Sequence, residues 1–187
     1  LQYNQATWKR LEPEVAAEAS VALSVNGDMW LTFSCTPVDL EALAMGFLFN
    51  EGIIQSAEEV VSARVCAEGT HLDVWLTHAA AKPAHWRRTS GCAGGVTSMQ
   101  PAAAIQSHPG EGCITPIQLL DNMEQLLSSQ VLYHQARGIH CAAMSDGQGV
   151  RVTAEDIGRH NTLDKLAGLL LLKAETFQPR VLLAGDA

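Results

Sequence analysis

Residues 138–174, GIHCAAMSDGQGVRVTAEDIGRHNTLDKLAGLLLLKA, carry the pattern that most clearly indicates the fold class of this chain. Its residues 138–145 and 149–154 are short runs rich in small and apolar residues, which is typical of buried strands. Between them the dipeptide Asp146-Gly147 favours a tight turn. This part of the chain therefore predicts two consecutive strands.

A long helix is predicted directly after these strands, over residues 157–174. Leu163, Leu166 and Leu170 recur there at helical spacing and are expected to pack it. Residues 180–185 predict one further strand. Strands that alternate with helices indicate an α/β fold built on a mixed sheet, with an α/β core over 113–187.

The first third of the chain predicts a smaller α+β lobe over residues 1–78. Residues 20–36 alternate around Asn26-Gly27, the dipeptide that most favours a two-residue hairpin turn. Residues 60–77 predict a second hairpin that turns near Glu68-Gly69. In that hairpin Val74 and Leu76 are expected on one face and Trp75 on the other.

An amphipathic helix is predicted between the two hairpins, within residues 36–54. Thr36, Pro37 and Asp39 are residue types that begin helices, and Gly52 is a stop signal. The apolar positions of this helix are Leu40, Leu43, Phe47 and Leu48.

Residues 79–112 predict a glycine- and proline-rich loop that carries Cys92. No period of 2 or 3.6 residues is sustained there, and loops of this length in a compact domain are usually functional or disordered. A helix is expected to follow, capped by Thr115 with Pro116 in its first turn. Its stripe is expected to pack in the core and consists of Ile117, Leu120, Met123, Leu126 and Leu127.

The composition indicates a globular protein, since 47% of residues are hydrophobic and 17% are charged. The formal charge of −8 opposes general binding to nucleic acid, although a local pair such as Arg87 with Arg88, or Arg151 with Arg159, would still suit a compact anion. The longest apolar run, 169–172, is far too short for a membrane span, and residues 1–10 lack the apolar core of a signal peptide. We therefore expect a cytoplasmic protein without a membrane or export role.

The five cysteines are odd in number and have no pairing rhythm, which favours reduced thiols. Cys92 differs from the others because the sequence RRTSGCAGG sets it among small residues, four positions after an arginine pair. Nearby positive charge and backbone N–H groups would favour its nucleophilic thiolate. A glycine-rich surface loop with an incidental cysteine is the open alternative. The remaining four are expected to be small buried hydrophobes: Cys35, Cys66, Cys113 and Cys141.

The sequence EDIGRHNTLDK, residues 155–165, collects many hydrogen-bonding side chains at the predicted start of a helix. Unpaired N–H groups there, together with Arg159, would suit a phosphate or another anion. The alternative is that Asp156 simply caps the helix and that Asp164 and Lys165 are solvated charges. If strand and helix are neighbours, His140 would face the same crevice as Arg159 and His160; otherwise it is an ordinary core histidine.

Two classes of site are rejected from spacing. No Cys/His pair recurs at the two-to-four-residue spacing of a zinc site, so we expect no directly bound metal. A phosphate-binding loop with Gly-Lys-Ser/Thr is absent too, which excludes that kind of nucleotide hydrolase.

The chain resembles the FdhD family of formate dehydrogenase accessory proteins. The resemblance rests on TPVDLEALAMGFLFNEGII (36–54), TSGCAGG (89–95), and GIHCAAM (138–144) followed by EDIGRHNTLDKLAG (155–168), all in order, with a weaker match at EVAAEASVALSVNG (14–27). It implies a cytidine-deaminase-like core, usually dimeric, that takes persulfide sulfur from a cysteine desulfurase. That sulfur is passed to the molybdenum bis(guanine dinucleotide) cofactor of formate dehydrogenase. The resemblance thus implies a sulfurtransferase-like persulfide carrier, and whether it acts as an enzyme is left open.

In this resemblance Cys92 matches the persulfide cysteine, and the predicted site for the client cofactor comprises His140, Asp156, Gly158, Arg159, His160, Asn161 and Lys165. Many relatives have a second cysteine where this chain has Gly95, so a cofactor-binding chaperone without sulfur chemistry is the alternative function. We also expect a C-terminal truncation at Ala187 relative to the family. A zinc deaminase is rejected because His-x-Glu and Pro-Cys-x-x-Cys are missing.

Overall fold

The computed structural model describes residues 2–4, 7–9, 15–66, 68–84, 86–88, 96–98, 114–173, 179 and 181–185. Within these ranges the chain forms β-strands, four α-helices and a short 3-10 turn. Their order is β1 (Gln2–Asn4), β2 (Thr7–Lys9), β3 (Ala19–Val25), β4 (Asp28–Cys35), α1 (Leu40–Asn50), the 3-10 turn (Ala57–Glu59), β5 (Val60–Val65), β6 (His71–Leu76), β7 (Trp86–Arg88), β8 (Val96–Ser98), α2 (Pro116–Ser129), α3 (Val131–Ala136), β9 (His140–Ser145), β10 (Val150–Asp156), α4 (Arg159–Lys173) and β11 (Val181–Gly185).

The first sheet has four strands in the order β4-β3-β6-β5, and it is mixed because β3 and β6 are parallel. Both predicted hairpins are confirmed as antiparallel pairs, β3 with β4 and β5 with β6. Asn26 and Gly27 have φ of 51° and 86°, the left-handed pair that matches the twist of a two-residue hairpin. The predicted faces of β6 are confirmed too: Val74 and Leu76 are buried, whereas Trp75 is exposed.

Helix α1 is confirmed, but its predicted amphipathic character is wrong. Eight of its residues, Leu40 and the run from Ala42 to Leu48, are buried. The helix lies between the apolar face of the first sheet and helix α4, so it has almost no solvent side. Thr36 does not cap it; this residue bonds instead to the end of β10.

The second sheet is described as three antiparallel strands in the order β10-β9-β11. A different helix packs on each face of this sheet. Consecutive residues of β9 point to opposite faces, so the strand contributes side chains to both contacts. On one face Leu126 of α2 packs against Cys141 and Ala143. On the other face Leu166 of α4 packs against Ala142. The mixed α/β architecture predicted from the sequence is confirmed, with the mixed pairing located in the first sheet.

Two predicted apolar stripes differ from the structure. In α4, Leu166 is buried and Leu170 packs beside it, but Leu163 is 38% exposed. In α2, Leu126 is buried and Met123 packs beside it, whereas three residues of the predicted core stripe are exposed: Ile117, Leu120 and Leu127. Core packing of the whole α2 stripe is therefore a wrong prediction.

Helices α1 and α4 cross in backbone contact through two glycines. A Cβ on Gly46 would lie 1.7 Å from the carbonyl oxygen of Asp164, and one on Gly168 would lie 1.8 Å from that of Ala42. Since real Cβ atoms do not approach other atoms so closely, any larger residue would push the helices apart.

The strands between residues 19 and 76 form the first sheet, and its apolar core also takes Leu171 of α4 at its edge. The domain boundaries themselves stay a prediction. In the segment 79–112, the described parts include β7 and β8, which pair in antiparallel fashion. Cys92 lies outside the described residues. None of the described helices is long and apolar enough to cross a bilayer.

Candidate functional site

The motif 155–165 is held together by a buried ion pair between Asp156 and Lys165, whose Oδ2 and Nζ atoms are 2.6 Å apart. Both side chains have 0% exposure. The backbone N–H of Thr36 donates to the same carboxylate oxygen at 3.0 Å, and Lys165 donates to the Thr36 carbonyl at 2.9 Å. The interpretation of Lys165 as a solvated charge is therefore wrong.

The second oxygen of Asp156 organises the turn that leads into α4. It accepts hydrogen bonds from the Gly158 N–H at 2.7 Å and from Asn161 Nδ2 at 3.1 Å. Asn161 also donates to the Ser34 carbonyl at 2.8 Å. A Cβ on Gly158 would lie 2.7 Å from Asn161 Nδ2, so a larger residue there would have to displace the Asn161 side chain from its hydrogen bonds.

Glu155, the first acid of the motif, has a separate structural role. Its carboxylate accepts hydrogen bonds from three successive N–H groups at the start of α3, those of Val131, Leu132 and Tyr133, at 2.9 to 3.0 Å. A carboxylate at this end of a helix is also favoured by the helix dipole. Much of the unusual polarity of the motif is thus used inside the fold.

Burial divides the predicted cofactor-binding residues into two groups. Arg159 is exposed and His160 is partly exposed, at the start of α4, and His140 is partly buried at the start of β9. The other four, Asp156, Gly158, Asn161 and Lys165, are buried. They fix where α4 begins, and direct contact between them and a cofactor stays a prediction that their burial disfavours.

The structure brings His140 and Arg159 to one crevice at the end of the second sheet. The strand β9 starts there, β11 ends there, and the first turn of α4 forms the wall. The crevice has a volume of about 150 Å³. Its lining residues are His140, Cys141, Ala142, Arg159, Thr162, Leu163, Ala184 and Gly185, and they do not include His160.

The described cysteines have different environments. Burial, with a smaller contribution from Asp156, raises the pKa of Cys35 to about 12, so its thiol is inert. Cys141 is also buried and contacts Gln130. Cys66 is only partly buried, which makes its predicted burial wrong. A hydrogen bond with the Thr70 hydroxyl, helped by nearby backbone N–H groups, lowers its pKa. Cys113 and the predicted acceptor Cys92 lie outside the described residues.

A serine, a histidine and an aspartate that the sequence analysis missed meet on the outer face of the first sheet. Ser24 Oγ lies 3.0 Å and Asp73 Oδ1 lies 3.1 Å from the same atom, His71 Nε2. A nucleophilic triad needs the acid and the serine on opposite ring nitrogens. This cluster therefore does not activate Ser24. In the described part of the chain, no group of three or more His, Cys, Asp or Glu side chains could hold a metal ion.

Comparison with known proteins agrees with this architecture. The FdhD/NarQ family model matches residues 16–185. Proteins named sulfur carrier protein FdhD from Staphylococcus aureus strains bovine RF122 / ET3-1 and JH9 are 31% identical over 176 residues, which is 91% of this chain and 66% of each relative. The chain thus spans slightly less than two thirds of the length of these relatives.

A solved structure is similar over the same extent. The crystal structure of a protein described as a candidate formate dehydrogenase accessory protein, from Desulfotalea psychrophila, aligns with a TM-score of 0.66 and 25% identity. The alignment covers 92% of this chain and 66% of that one. The family model spans the two larger sheets and the motif at 155–165, and we conclude that this chain belongs to the FdhD/NarQ family.

Proposed function

We propose that this protein is a sulfur carrier for the maturation of formate dehydrogenase. In this proposal Cys92 accepts persulfide sulfur from a cysteine desulfurase and passes it to the molybdenum bis(guanine dinucleotide) cofactor. The observation that carries the proposal is family membership over residues 16–185, with relatives named as sulfur carriers.

The acceptor step is chemically balanced without an added oxidant. The Cys92 thiolate attacks the outer sulfur of the donor persulfide, a new S–S bond forms, and the donor cysteine leaves as a thiolate. The step needs a thiol that is accessible and easily ionised. Cys35 and Cys141 fail this requirement because they are buried. Among the described cysteines Cys66 is the rival, since its pKa is lowered and its side chain is partly exposed.

The crevice beside Arg159 supports binding of one part of the cofactor. A guanidinium and the N-terminal end of α4 are suited to a phosphate, and His140 adds a polar group to the same wall. Sites for drug-sized ligands usually have volumes of roughly 300–1,000 Å³. A crevice of about 150 Å³ would therefore hold one phosphate or ring rather than the whole cofactor.

Sulfur labelling tests the proposal. The protein is incubated with a purified bacterial cysteine desulfurase and free cysteine, and its intact mass is measured with and without a reducing agent. Wild type and Cys66→Ala should each gain one reducible sulfur mass, whereas Cys92→Ala should gain none. Loss of the label in Cys66→Ala, with normal labelling of Cys92→Ala, would assign the acceptor role to Cys66 and refute the proposal.

Gly95 favours a second candidate function, a chaperone that holds the cofactor without sulfur chemistry. The family resemblance implies a second cysteine at this position in many relatives, and glycine there leaves Cys92 without a resolving thiol three residues later in the sequence. Complementation of a strain that lacks its own accessory protein separates the two functions. A chaperone should still restore formate dehydrogenase activity after Cys92→Ala, and a sulfur carrier should not.

A further inference from the structure

Helix α2 presents an apolar stripe to solvent on the side that faces away from the second sheet. Ile117, Leu120 and Leu127 are 71%, 69% and 50% exposed, and Val131 at the start of α3 continues the line at 61%. The spacing of i, i+3 and i+10 places Ile117, Leu120 and Leu127 along one side of α2, and Val131 follows at the first position of α3. Exposed apolar surface of this extent is typical of a protein interaction site.

The helix is preformed, which lowers the entropic cost of binding through it. The Thr115 hydroxyl accepts a hydrogen bond from the Gln118 N–H at 3.2 Å, and the Gln118 side chain accepts one from the Thr115 N–H at 2.9 Å. Leu126 and Met123 anchor the opposite side to the second sheet. A partner would therefore meet a rigid helical ridge.

The charges on α2 indicate what kind of surface covers the stripe. Asp121 and Glu124 are exposed on the same side, and α2 contains no Lys, Arg or His. If α2 paired with a second copy of itself around its middle, Glu124 would meet Glu124, which like-charge repulsion disfavours. The complementary surface is an apolar groove with Lys or Arg on its rim.

The position of α2 indicates which partner this is. The helix lies on one face of the second sheet, whereas α4 and Arg159 lie on the other, so a protein docked on α2 leaves the crevice open. A client that takes the cofactor must approach the crevice itself. The segment that carries Cys92, in contrast, leads along the chain directly into α2.

We infer that the stripe formed by Ile117, Leu120, Leu127 and Val131 docks the protein that donates sulfur to Cys92, through an apolar groove rimmed by basic residues. The identity of this partner as the sulfur donor rests on the proposed function. The homodimer expected from the family resemblance would then use another surface.

The test compares Ile117→Ser/Leu120→Ser with Met29→Ser/Val61→Ser, a control pair that is 58% and 67% exposed on strands of the first sheet. Affinity for a purified bacterial cysteine desulfurase is measured by calorimetry, and sulfur labelling by intact mass. Because truncation of apolar anchors at the centre of an interface weakens binding, we expect Kd to rise about tenfold or more in the α2 variant and less than about twofold in the control. Glu124→Lys should also raise Kd, and added salt should weaken wild-type binding.

A small-molecule donor, cysteine persulfide, separates this inference from the proposed function. It needs no docking and should label Cys92 in all of these variants equally. If wild type is labelled by neither donor, the proposed function fails. If wild type and Ile117→Ser/Leu120→Ser bind the desulfurase and take sulfur from it equally, the inference is overturned and the proposed function is not. If wild type takes sulfur from the small donor but does not bind the desulfurase, the inference is overturned together with the desulfurase as donor, whereas Cys92 as the sulfur acceptor stands. A wild-type dimer that this variant dissociates in sedimentation would assign the stripe to a second copy and also overturn the inference.

Discussion

Lys165 Nζ lies 2.6 Å from Asp156 Oδ2 in a fully buried ion pair that also holds the backbone of Thr36. Thr36 follows β4 of the first sheet, whereas Asp156 ends β10 of the second. One pair of charges therefore ties the two sheets together at the turn that begins α4. Its effect on the site is indirect, because it fixes where Arg159 and the crevice wall stand.

Removal of one partner of this pair should be strongly destabilising. Lys165→Met leaves the Asp156 carboxylate buried without its counter-ion, which typically costs about 3–5 kcal/mol of the free energy of unfolding. The double variant Asp156→Asn/Lys165→Met should recover part of that loss, because no buried charge remains. Urea denaturation measures both.

The exposed ion pair between Arg151 and Asp146 is the matched control, with Nη2 and Oδ2 2.7 Å apart. Because solvent screens it, Arg151→Met should cost less than about 1 kcal/mol. Equal losses from Lys165→Met and Arg151→Met would contradict the structural role of the buried pair.

Local sequence signals predicted the strands of the two larger sheets and the helices α1, α2 and α4, because turn chemistry and apolar periodicity are local. They did not predict α3 or the short strands β1, β2, β7 and β8. Asn26-Gly27 is an example: the dipeptide alone specifies a turn whose φ values the structure then shows. The surroundings of each helix were less predictable. The sequence of α1 does not indicate that α4 covers the side of α1 that faces away from the first sheet. The burial of α1 on nearly all sides was therefore not predicted.

The position of the candidate site in the sequence was predictable. Which of its residues are buried in the fold and which face the crevice was not. The density of polar residues in 155–165 correctly marked an unusual place. Which of them point inward depends on Thr36, which is 120 residues away from Asp156 along the chain. Contacts between residues so far apart produce no periodic pattern in the sequence. For the same reason the sequence leaves two interpretations of Lys165 open, a cofactor-binding residue or a solvated charge, and does not indicate that its side chain is fully buried.

The glycines at the crossing of α1 and α4 should not tolerate even a methyl group. Gly→Ala inside a helix normally stabilises by about 1 kcal/mol through helix propensity. At Gly46 and Gly168 the added Cβ would overlap backbone atoms of the other helix, so we expect each Ala variant to lose about 2 kcal/mol or more. Thermal unfolding followed by circular dichroism measures this. Ser128→Ala, at an exposed position of α2, is the control and should be neutral or slightly stabilising.

Asp164 should make stability depend on pH near neutrality. Burial, with a smaller effect of Glu51, raises its pKa from 3.8 to about 7, although a hydrogen bond from Asn50 opposes the rise. Between about pH 4 and pH 7 the folded protein keeps a proton that the unfolded chain releases. The contribution of Asp164 is therefore complete below pH 4 and is lost as the pH rises towards 7.

Asp164→Asn removes this titration and keeps an oxygen that can accept the hydrogen bond from Asn50. Because Asp164 is only partly buried, we expect the variant to be more stable than wild type by about 1–2 kcal/mol at pH 8, and similar to it at pH 4. Urea denaturation at several pH values measures the difference. A constant difference from pH 4 to pH 8 would show that Asp164 does not titrate in this range.

Alkylation should distinguish the described cysteines in the folded protein. Cys66 is partly exposed and its pKa is lowered, whereas the pKa of the buried Cys35 is raised to about 12. Iodoacetamide at pH 8 should therefore modify Cys66 much faster than Cys35 or Cys141, as followed by peptide mass spectrometry. In urea the three rates should converge, and faster reaction of Cys35 in the folded state would contradict the described packing.

Arg159 should contribute directly to binding of the guanine nucleotide part of the cofactor, for which GDP is a usable probe. Its guanidinium stands at the start of α4, where helix N–H groups also favour phosphate. A charged hydrogen bond is worth about 1.5–3 kcal/mol, so Arg159→Ala should weaken GDP binding at least about tenfold in calorimetry. Arg64→Ala is the matched control, because Arg64 is an exposed arginine on β5 of the first sheet. Both variants remove one positive charge from the protein. If both weaken GDP binding equally, Arg159 acts only by long-range attraction, which would contradict a phosphate held in the crevice.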